Sequence, residues 1–296
     1  MTDTERIGIW WNPQAGHGRA RELADRARLE ATARGHSATL LPSSSATVSR
    51  TAADEAVADG IDRLIVVGGD GTVHQAVQVA AGTPLVVGIV PAGSGNDVID
   101  PLGLAHDPAV AIDRALGPGV PVDLLRIGDR YGVTVATLGF SVSVNQRADR
   151  LRWPRGRAKY TAATIRELIG LRPYPLIVVL DGRRLEVAPN LLAFANTSDF
   201  GGGMRIAPDA RPDDGQLELV VVGPAARATL LRVLPRVRTG RHIEHAAVQV
   251  HRGARATIET DQSWEVRADG EVVGSTPVDI EIVPAALQLA GRLVCA

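Results

Sequence analysis

Between Arg6 and Gly93, short apolar runs alternate with longer stretches of helical spacing. RIGIWWN (6–12), SATLLP (37–42), DRLIVVGG (62–69) and PLVVGIVPAG (84–93) read as strands. Between them, GRARELADRARLEATARG (18–35), SATVSRTAADEAVADG (45–60) and TVHQAVQVAAG (72–82) repeat apolar residues at helical intervals, the second from a Ser/Thr start. Strands joined through helices of this length form a parallel sheet covered on both faces. Such sheets bind ligands at the carboxyl ends of their strands.

After about Val122 the pattern changes. YGVTVATLGFSVSV (131–144), YPLIVVLDGRRLEVAP (174–189), NLLAFANTS (190–198), GQLELVVVG (215–223), AAVQVHRGARATIET (246–260), WEVRADGEVV (264–273) and VDIEIVPAALQL (278–289) are strand-like runs punctuated by Gly, Pro, Asp and Asn. Helical stretches interrupt them at 156–170 and 226–240. The pattern predicts an α/β domain over residues 1–122 with a parallel, Rossmann-like sheet, then a β-sandwich domain over 123–282.

Composition narrows the chemistry. A chain of 296 residues with 45% hydrophobic and 22% charged residues has enough apolar material for two cores. Its formal net charge of −1 supplies no general basic field, so no nucleic-acid partner is expected and any anionic membrane contact must come from a local patch. Two patches qualify: RADRLRWPRGRAK (147–159), which ends at the only lysine, Lys159, and ATLLRVLPRVRTGRH (228–242), an amphipathic stretch interrupted by Pro235. Either also reads as an ordinary solvated surface. The single cysteine, Cys295, rules out an intrachain disulfide and fits a reduced cytoplasm. No apolar run reaches the length of a membrane span.

Three glycine-containing loops follow three strand candidates: NPQAGHG (12–18), GGDGT (68–72) and PAGSGND (91–97), the second expected to open a helix and the third to precede a helical stretch. Glycine lets backbone N–H groups approach a phosphate, and a helix N-terminus favours an anion. One such loop is also an ordinary turn, whereas three at one sheet edge point to a nucleotide. Neither the Walker A pattern nor the dinucleotide G-x-G-x-x-G is present. Asp70 inside GGDGT is unexpected, because a carboxylate repels phosphate unless a cation or a hydroxyl lies between them.

Taken in order, NPQAG, VVGGDGTV, PAGSGNDV, VDLLRI, LGFSV, FANTSDFGGGMRIAPDARPDDGQLEL and VRADGEVV resemble the motifs of the diacylglycerol kinase catalytic family, across about Ile7 to Leu289. The resemblance implies a nucleotide-binding domain, a sandwich carrying the lipid site, an active site between them, and a return of residues 283–296 to the first domain. It implies transfer of the ATP γ-phosphoryl to a lipid hydroxyl, most readily that of diacylglycerol, by a cytoplasmic enzyme peripheral at the inner membrane face. A homodimer is a further expectation.

Carried over by position, the ATP contacts are Asn12, Pro13, Gln14, Ala15, Gly16, Ser43 or the neighbouring Ser44, Gly68, Gly69, Gly71, Thr72 and Ser94; the basic segment 147–159 separately offers Lys159 to the ATP phosphates, or with Trp153 meets lipid headgroups. Mg²⁺ chemistry maps onto Asp214, with Asp213 as the second choice and backbone oxygens near Arg211 and Gln216, the oxygen donors a hard cation takes. Two acids, Glu271 in DGE and Asp70, compete for the role of proton acceptor, since phosphoryl transfer needs one carboxylate to orient the hydroxyl. Read alone, ADGEVV is a hairpin turn, PDDG a solvated turn and Asp123 a junction cap. The chain departs from the family pattern at Gln14, His17, His74 and Gln75, where basic residues and Asn-Glu are usual. Two other readings therefore stay open, an NAD kinase-like enzyme and a lipid- or nucleotide-binding regulator without turnover.

Overall fold

The computed structural model describes residues 4–93, 95, 97–138, 173–200 and 202–291. Ser94, Lys159, the basic segment 147–159 and the helix expected at 156–170 lie outside the described residues. The chain divides into two compact units, Met1–Leu124 with Pro284–Ala296, and Leu125–Val283.

In the first unit the strands are β1 (Arg6–Trp11), β2 (Ser37–Leu40), β3 (Arg63–Gly68) and β4 (Val86–Pro91). The helices are α1 (Arg19–Ala33), α2 (Ala46–Ala58), α3 (Asp70–Ala80) and α4 (Pro108–Ala115). The strands run parallel in the order β2-β1-β3-β4. All six residues of β3 are buried, as a central strand covered on both faces requires. One face packs Ile7, Ile9, Ile65 and Val67 against alanines 20, 24, 27 and 31 of α1 and against Ile112 of α4. The small side chains of α1 allow a close helix-to-sheet approach. Ser45 caps α2, its Oγ accepting the Val48 N–H at 3.2 Å, and Asp107 caps α4 through the N–H groups of Ala109 and Val110.

PAGSGND leads not directly into a helix but into turns that run to residue 103, and α4 begins only at Pro108 behind its Asp107 cap. Proline at the first helical position and an Asx cap are stronger start signals than the glycine loop.

The second unit contains two sheets. Its strands are β5 (Gly119–Ile127, which begins in the first unit), β6 (Arg130–Gly132), β7 (Val135–Leu138), β8 (Leu176–Leu180), β9 (Arg183–Val187), β10 (Leu191–Ala195) and β11 (Leu217–Val222). Then come α5 (Arg227–Val237), β12 (Val248–Gly253), β13 (Arg255–Glu259), β14 (Glu265–Ala268), β15 (Glu271–Ser275) and β16 (Val278–Ala290, which ends in the first unit). One sheet orders β16-β13-β8-β9, with β5 on β16 and β6 on β5. The other orders β12-β11-β10-β7-β14-β15. Leu125, Val178, Leu180 and Ile258 of the first meet Leu138, Leu192, Phe194 and Leu219 of the second in the sandwich core. On the opposite side of β10, Leu191, Ala193 and Ala195 pack with Val220 and Ile206. Both faces of β10 are thus covered, which explains the unbroken run LLAFA. The single run read at 246–260 is two strands: β12 pairs with β11 in one sheet and β13 with β16 and β8 in the other.

Candidate active site

Because β1, β3 and β4 are adjacent and parallel, their three glycine loops emerge at one sheet edge. Hydrogen bonds then join them. The Asn12 N–H bonds to Val67 O at 3.0 Å, its Oδ1 accepts the Gln14 N–H at 3.0 Å, and its Nδ2 reaches Thr72 Oγ1 at 3.3 Å. The Ala92 N–H donates to Gly68 O at 2.9 Å. Gly16, at φ +61°, passes so near that a Cβ there would lie 2.7 Å from Ala92 O, and one on Gly93 would lie 2.7 Å from Gly69 Cα. Only glycine lets the loops converge this closely.

The convergence encloses a cleft of about 860 Å³, within the usual size range of small-molecule sites. Asn12, Gln14, Ala15, Gly16, Gly69 and Gly71 all line it, as does Asp70. Asp70 is the first residue of α3, whose N-cap, Gly69, provides no side-chain acceptor for the first-turn N–H groups. That end of the helix favours an anion. The Asp70 carboxylate is held from the third loop: Oδ1 accepts the Val98 N–H at 3.1 Å, and Oδ2 lies against Gly95, where a Cβ would collide with it.

Other expected nucleotide contacts lie behind this surface. Thr72 is buried and bonded by Asn12, and a Cβ on Gly68 would strike the Thr72 side chain. Ser43 is buried after β2 and donates to Leu41 O at 3.1 Å, and neither it nor Pro13 lines the cleft. Two ionisable residues that the motif reading missed do line it: Arg19, at the start of α1, and His106, whose Nε2 is 2.7 Å from Asp100 Oδ1. The signal for Arg19 was its place directly after GHG, where a cation can offset the uncharged Gln14. Gln75, on α3, accepts from Arg50 Nη1 at 3.1 Å, and His74 is buried. Asp123 is 4% exposed and accepts the Ala285 N–H at 2.8 Å, which ties down the returning strand.

In the second unit, β14 and β15 form a hairpin through Asp269 (φ +54°) and Gly270 (φ +85°), the geometry that favours Asp-Gly. Asp269 is 8% exposed, and its carboxylate accepts from the N–H groups of Val133 and Thr134, each at 2.9 Å, and from the Thr134 hydroxyl at 2.7 Å. Asn196 adds Nδ2 to Val133 O at 2.8 Å. Glu271 follows this anchored turn; it is exposed, and its side chain makes no hydrogen bond or ion pair among the described residues.

Asp214 accepts the Gln216 N–H at 3.0 Å through Oδ1 and pairs with Arg252 through Oδ2. Arg211 instead pairs with Asp213. Burial pushes the nearby Glu218 carboxyl above its ordinary range; Arg252 opposes the shift, and Asp209 and Asp214 add to it. Among the described residues no group of three or more His, Cys, Asp or Glu side chains is arranged to hold a metal ion.

Residues 6–127 match the diacylglycerol kinase catalytic domain, and residues 134–291 match the YegS C-terminal NAD kinase beta sandwich-like domain. A diacylglycerol kinase from Mycobacterium tuberculosis (strain CDC 1551 / Oshkosh) is 40% identical over 286 residues, covering 94% of this chain and 92% of its own. The diacylglycerol kinase of Bacillus subtilis (strain 168) is 27% identical over 233 residues, covering 76% of each chain. A crystal structure of a diacylglycerol kinase from Bacillus anthracis str. Sterne matches with a TM-score of 0.76 over 99% of this chain and 100% of that one, at 20% identity, a likeness of fold. With a diacylglycerol kinase 40% identical across 94% of the chain and the catalytic-domain model matched over residues 6–127, the chain belongs to the diacylglycerol kinase catalytic family of lipid kinases.

Proposed function

We propose that the protein transfers the γ-phosphoryl group of ATP to the hydroxyl of diacylglycerol, giving phosphatidic acid, in a Mg²⁺-dependent reaction. The observation that carries the nucleotide half is the convergence of three glycine loops on one cleft, with an uncapped helix N-terminus beside Asp70. Diacylglycerol as acceptor rests on the named activity of the Mycobacterium tuberculosis relative, at 40% identity across 94% of this chain.

Gly69, Gly71 and the first turn of α3 would cradle the phosphates through backbone N–H groups, with Asn12 and Gln14 lining the same cleft and Arg19 contributing positive charge. Mg²⁺ is commonly held by one or two carboxylates together with substrate phosphates rather than by an all-protein cage. Asp70 is the carboxylate suited to that task, since it borders the cleft and is already oriented by Val98. When bound, the cation supplies charge neutralisation across the phosphates. Asp214, with both oxygens engaged by Gln216 and Arg252, would first have to release Arg252. Glu271 has unengaged oxygens, and we assign it the proton from the attacking hydroxyl. The lipid would reach the enzyme from a membrane surface, with the protein peripheral to it.

Labelled ATP, Mg²⁺ and diacylglycerol in mixed micelles, with NAD as a parallel acceptor, test the reading. Label in phosphatidic acid is expected. Label in NAD, or ATP binding without transfer to any lipid, would overturn it. Glu271→Gln should lower kcat by about 10²–10⁴-fold with little change in KM for ATP. Asp70→Asn should weaken both.

A further inference from the structure

Helix α5 is amphipathic twice over. Leu230, Val233, Leu234 and Val237 face inward and line a small apolar cavity of about 50 Å³ together with Leu191 and Val248. The outward face follows the same helical interval with Ala228, Leu231, Arg232, Pro235 and Arg236, all exposed, and Leu231 keeps 43% of its surface. A solvent face normally carries polar residues of both signs; here it carries an apolar stripe edged by arginine. Exposed Arg238 follows directly.

Charge is segregated in the same place. From Leu219 to Ile243 the chain has no Asp or Glu, yet it holds arginines 227, 232, 236, 238 and 241, in a protein whose formal net charge is −1. Arg241 is neutralised by Glu244 at 3.1 Å. Arg232, Arg236 and Arg238 form no salt bridge among the described residues, and Arg236 acts on Glu244 only at longer range. Helix stability accounts for only part of these charges: Arg236 in the last turn and Arg238 at the C-cap suit the macrodipole, whereas Arg232 lies mid-helix with no carboxylate on the helix to pair with it.

We propose that the outer face of α5 docks on an anionic lipid bilayer, with Leu231 and Pro235 entering the interface and Arg232, Arg236 and Arg238 meeting lipid phosphates. Arginine suits this work because its aliphatic stem can lie along apolar surface while the guanidinium stays at headgroup level. The exposed apolar stripe selects a bilayer over a purely electrostatic partner, and the unpaired arginines select an anionic one. The proposal deepens the lipid kinase reading by naming the surface through which a membrane-resident substrate is reached.

Co-sedimentation with vesicles tests it. The wild-type protein should bind mixed phosphatidylglycerol and phosphatidylcholine vesicles, release them as salt rises, and bind pure phosphatidylcholine weakly. Arg232→Gln/Arg236→Gln/Arg238→Gln should lower partitioning on the order of 100-fold, at roughly fivefold per arginine. Leu231→Ser should lower it roughly fivefold to tenfold. Both variants alter exposed side chains, and an unchanged melting midpoint would confirm their folding. Phosphorylation of a dispersed short-chain diacylglycerol should be unaffected, while phosphorylation in anionic vesicles should fall with binding. Wild-type partitioning by the triple variant, or equal binding to neutral vesicles, would overturn the docking surface. Absence of phosphorylation of the dispersed substrate by the wild-type protein would instead overturn the kinase reading and leave the vesicle result standing.

Discussion

Arg63, on β3, is 4% exposed at its side chain and makes four hydrogen bonds: two to the Glu5 carboxylate at 2.6 and 2.9 Å, and two to the carbonyls of Ala115 and Gly117, each at 2.9 Å. It thereby ties the chain entering β1 to the end of α4. The Arg63 hydrogen bond holds the Glu5 carboxyl below its ordinary value of 4.5. A lowered folded-state value means stability that is present above the unfolded value and lost as pH falls through the folded one. Glu5→Gln should therefore melt below the wild type at neutral pH, and the gap in melting midpoint should close as pH is lowered beneath 4.5. A gap that persisted at low pH would show the ionised pair to be irrelevant. Asp269 is the matching case in the second unit. Asp269→Ala removes the acceptor of three hydrogen bonds to Val133 and Thr134 and should cost about 2–4 kcal/mol in chemical unfolding. In that variant kcat should fall while KM for ATP holds, because the turn before Glu271 loses its anchor. Asp70 and the loop glycines stood out from composition and spacing, whereas Glu271 was singled out only through the family resemblance. Partnerships were not legible: Asp214 with Arg252, and Asp269 with Thr134, are joined by folding across 38 and 135 positions, and no local pattern records them.

Element signals were strongest where local and tertiary demands agree. The parallel strands of the first unit are apolar because both faces are covered, and the helices between them keep one small-residue face toward the sheet, so period and burial point the same way. The signal weakened at 246–260, where Gly253 and Ala254 join two strands that separate into different sheets while the apolar alternation lapses only at Arg252. It weakened again after PAGSGND, where the helix waits for Asp107 and Pro108. What no local signal conveyed was how closely the glycine loops press on one another. Gly93→Ala would place a Cβ 2.7 Å from the backbone of Gly69, and backbone on both sides must move to admit it. Displacements of this kind can cost a catalytic geometry about 10²-fold. The expected result is a fall of about 10–100-fold in kcat/KM for ATP, measured by initial rates at saturating lipid. Wild-type kinetics in Gly93→Ala would remove the third loop from the nucleotide cradle.

At the scale of the whole chain, the first unit is closed by residues that arrive last. Gln288 and Leu289 of β16 pair in parallel with Val86 and Val87 of β4, covering an edge that would otherwise expose unpaired N–H and C=O groups. Leu287 and Leu289 are each 1% exposed and Ala290 2%. The Ala285 N–H satisfies buried Asp123, and Ala286 O accepts the Gly82 N–H at 2.8 Å. The sandwich pairs of the same strand, Val278 to Glu281 with β13, lie wholly before Pro284. Truncation after Val283 should therefore damage one unit selectively. Asp123 would be left without the Ala285 N–H, the β4 edge would open, and stabilisation of the melt by ATP would be lost, while the sandwich keeps its own cooperative transition in calorimetry. A milder form, Leu289→Ala, should cost about 2–5 kcal/mol in unfolding of the first unit, because a fully buried leucine loses both transfer energy and packing. Retention of ATP-dependent stabilisation in the truncated chain would mean that the four strands β2-β1-β3-β4 hold the three glycine loops in register without β16. A single melting transition lost altogether would mean instead that the sandwich cannot fold without the first unit.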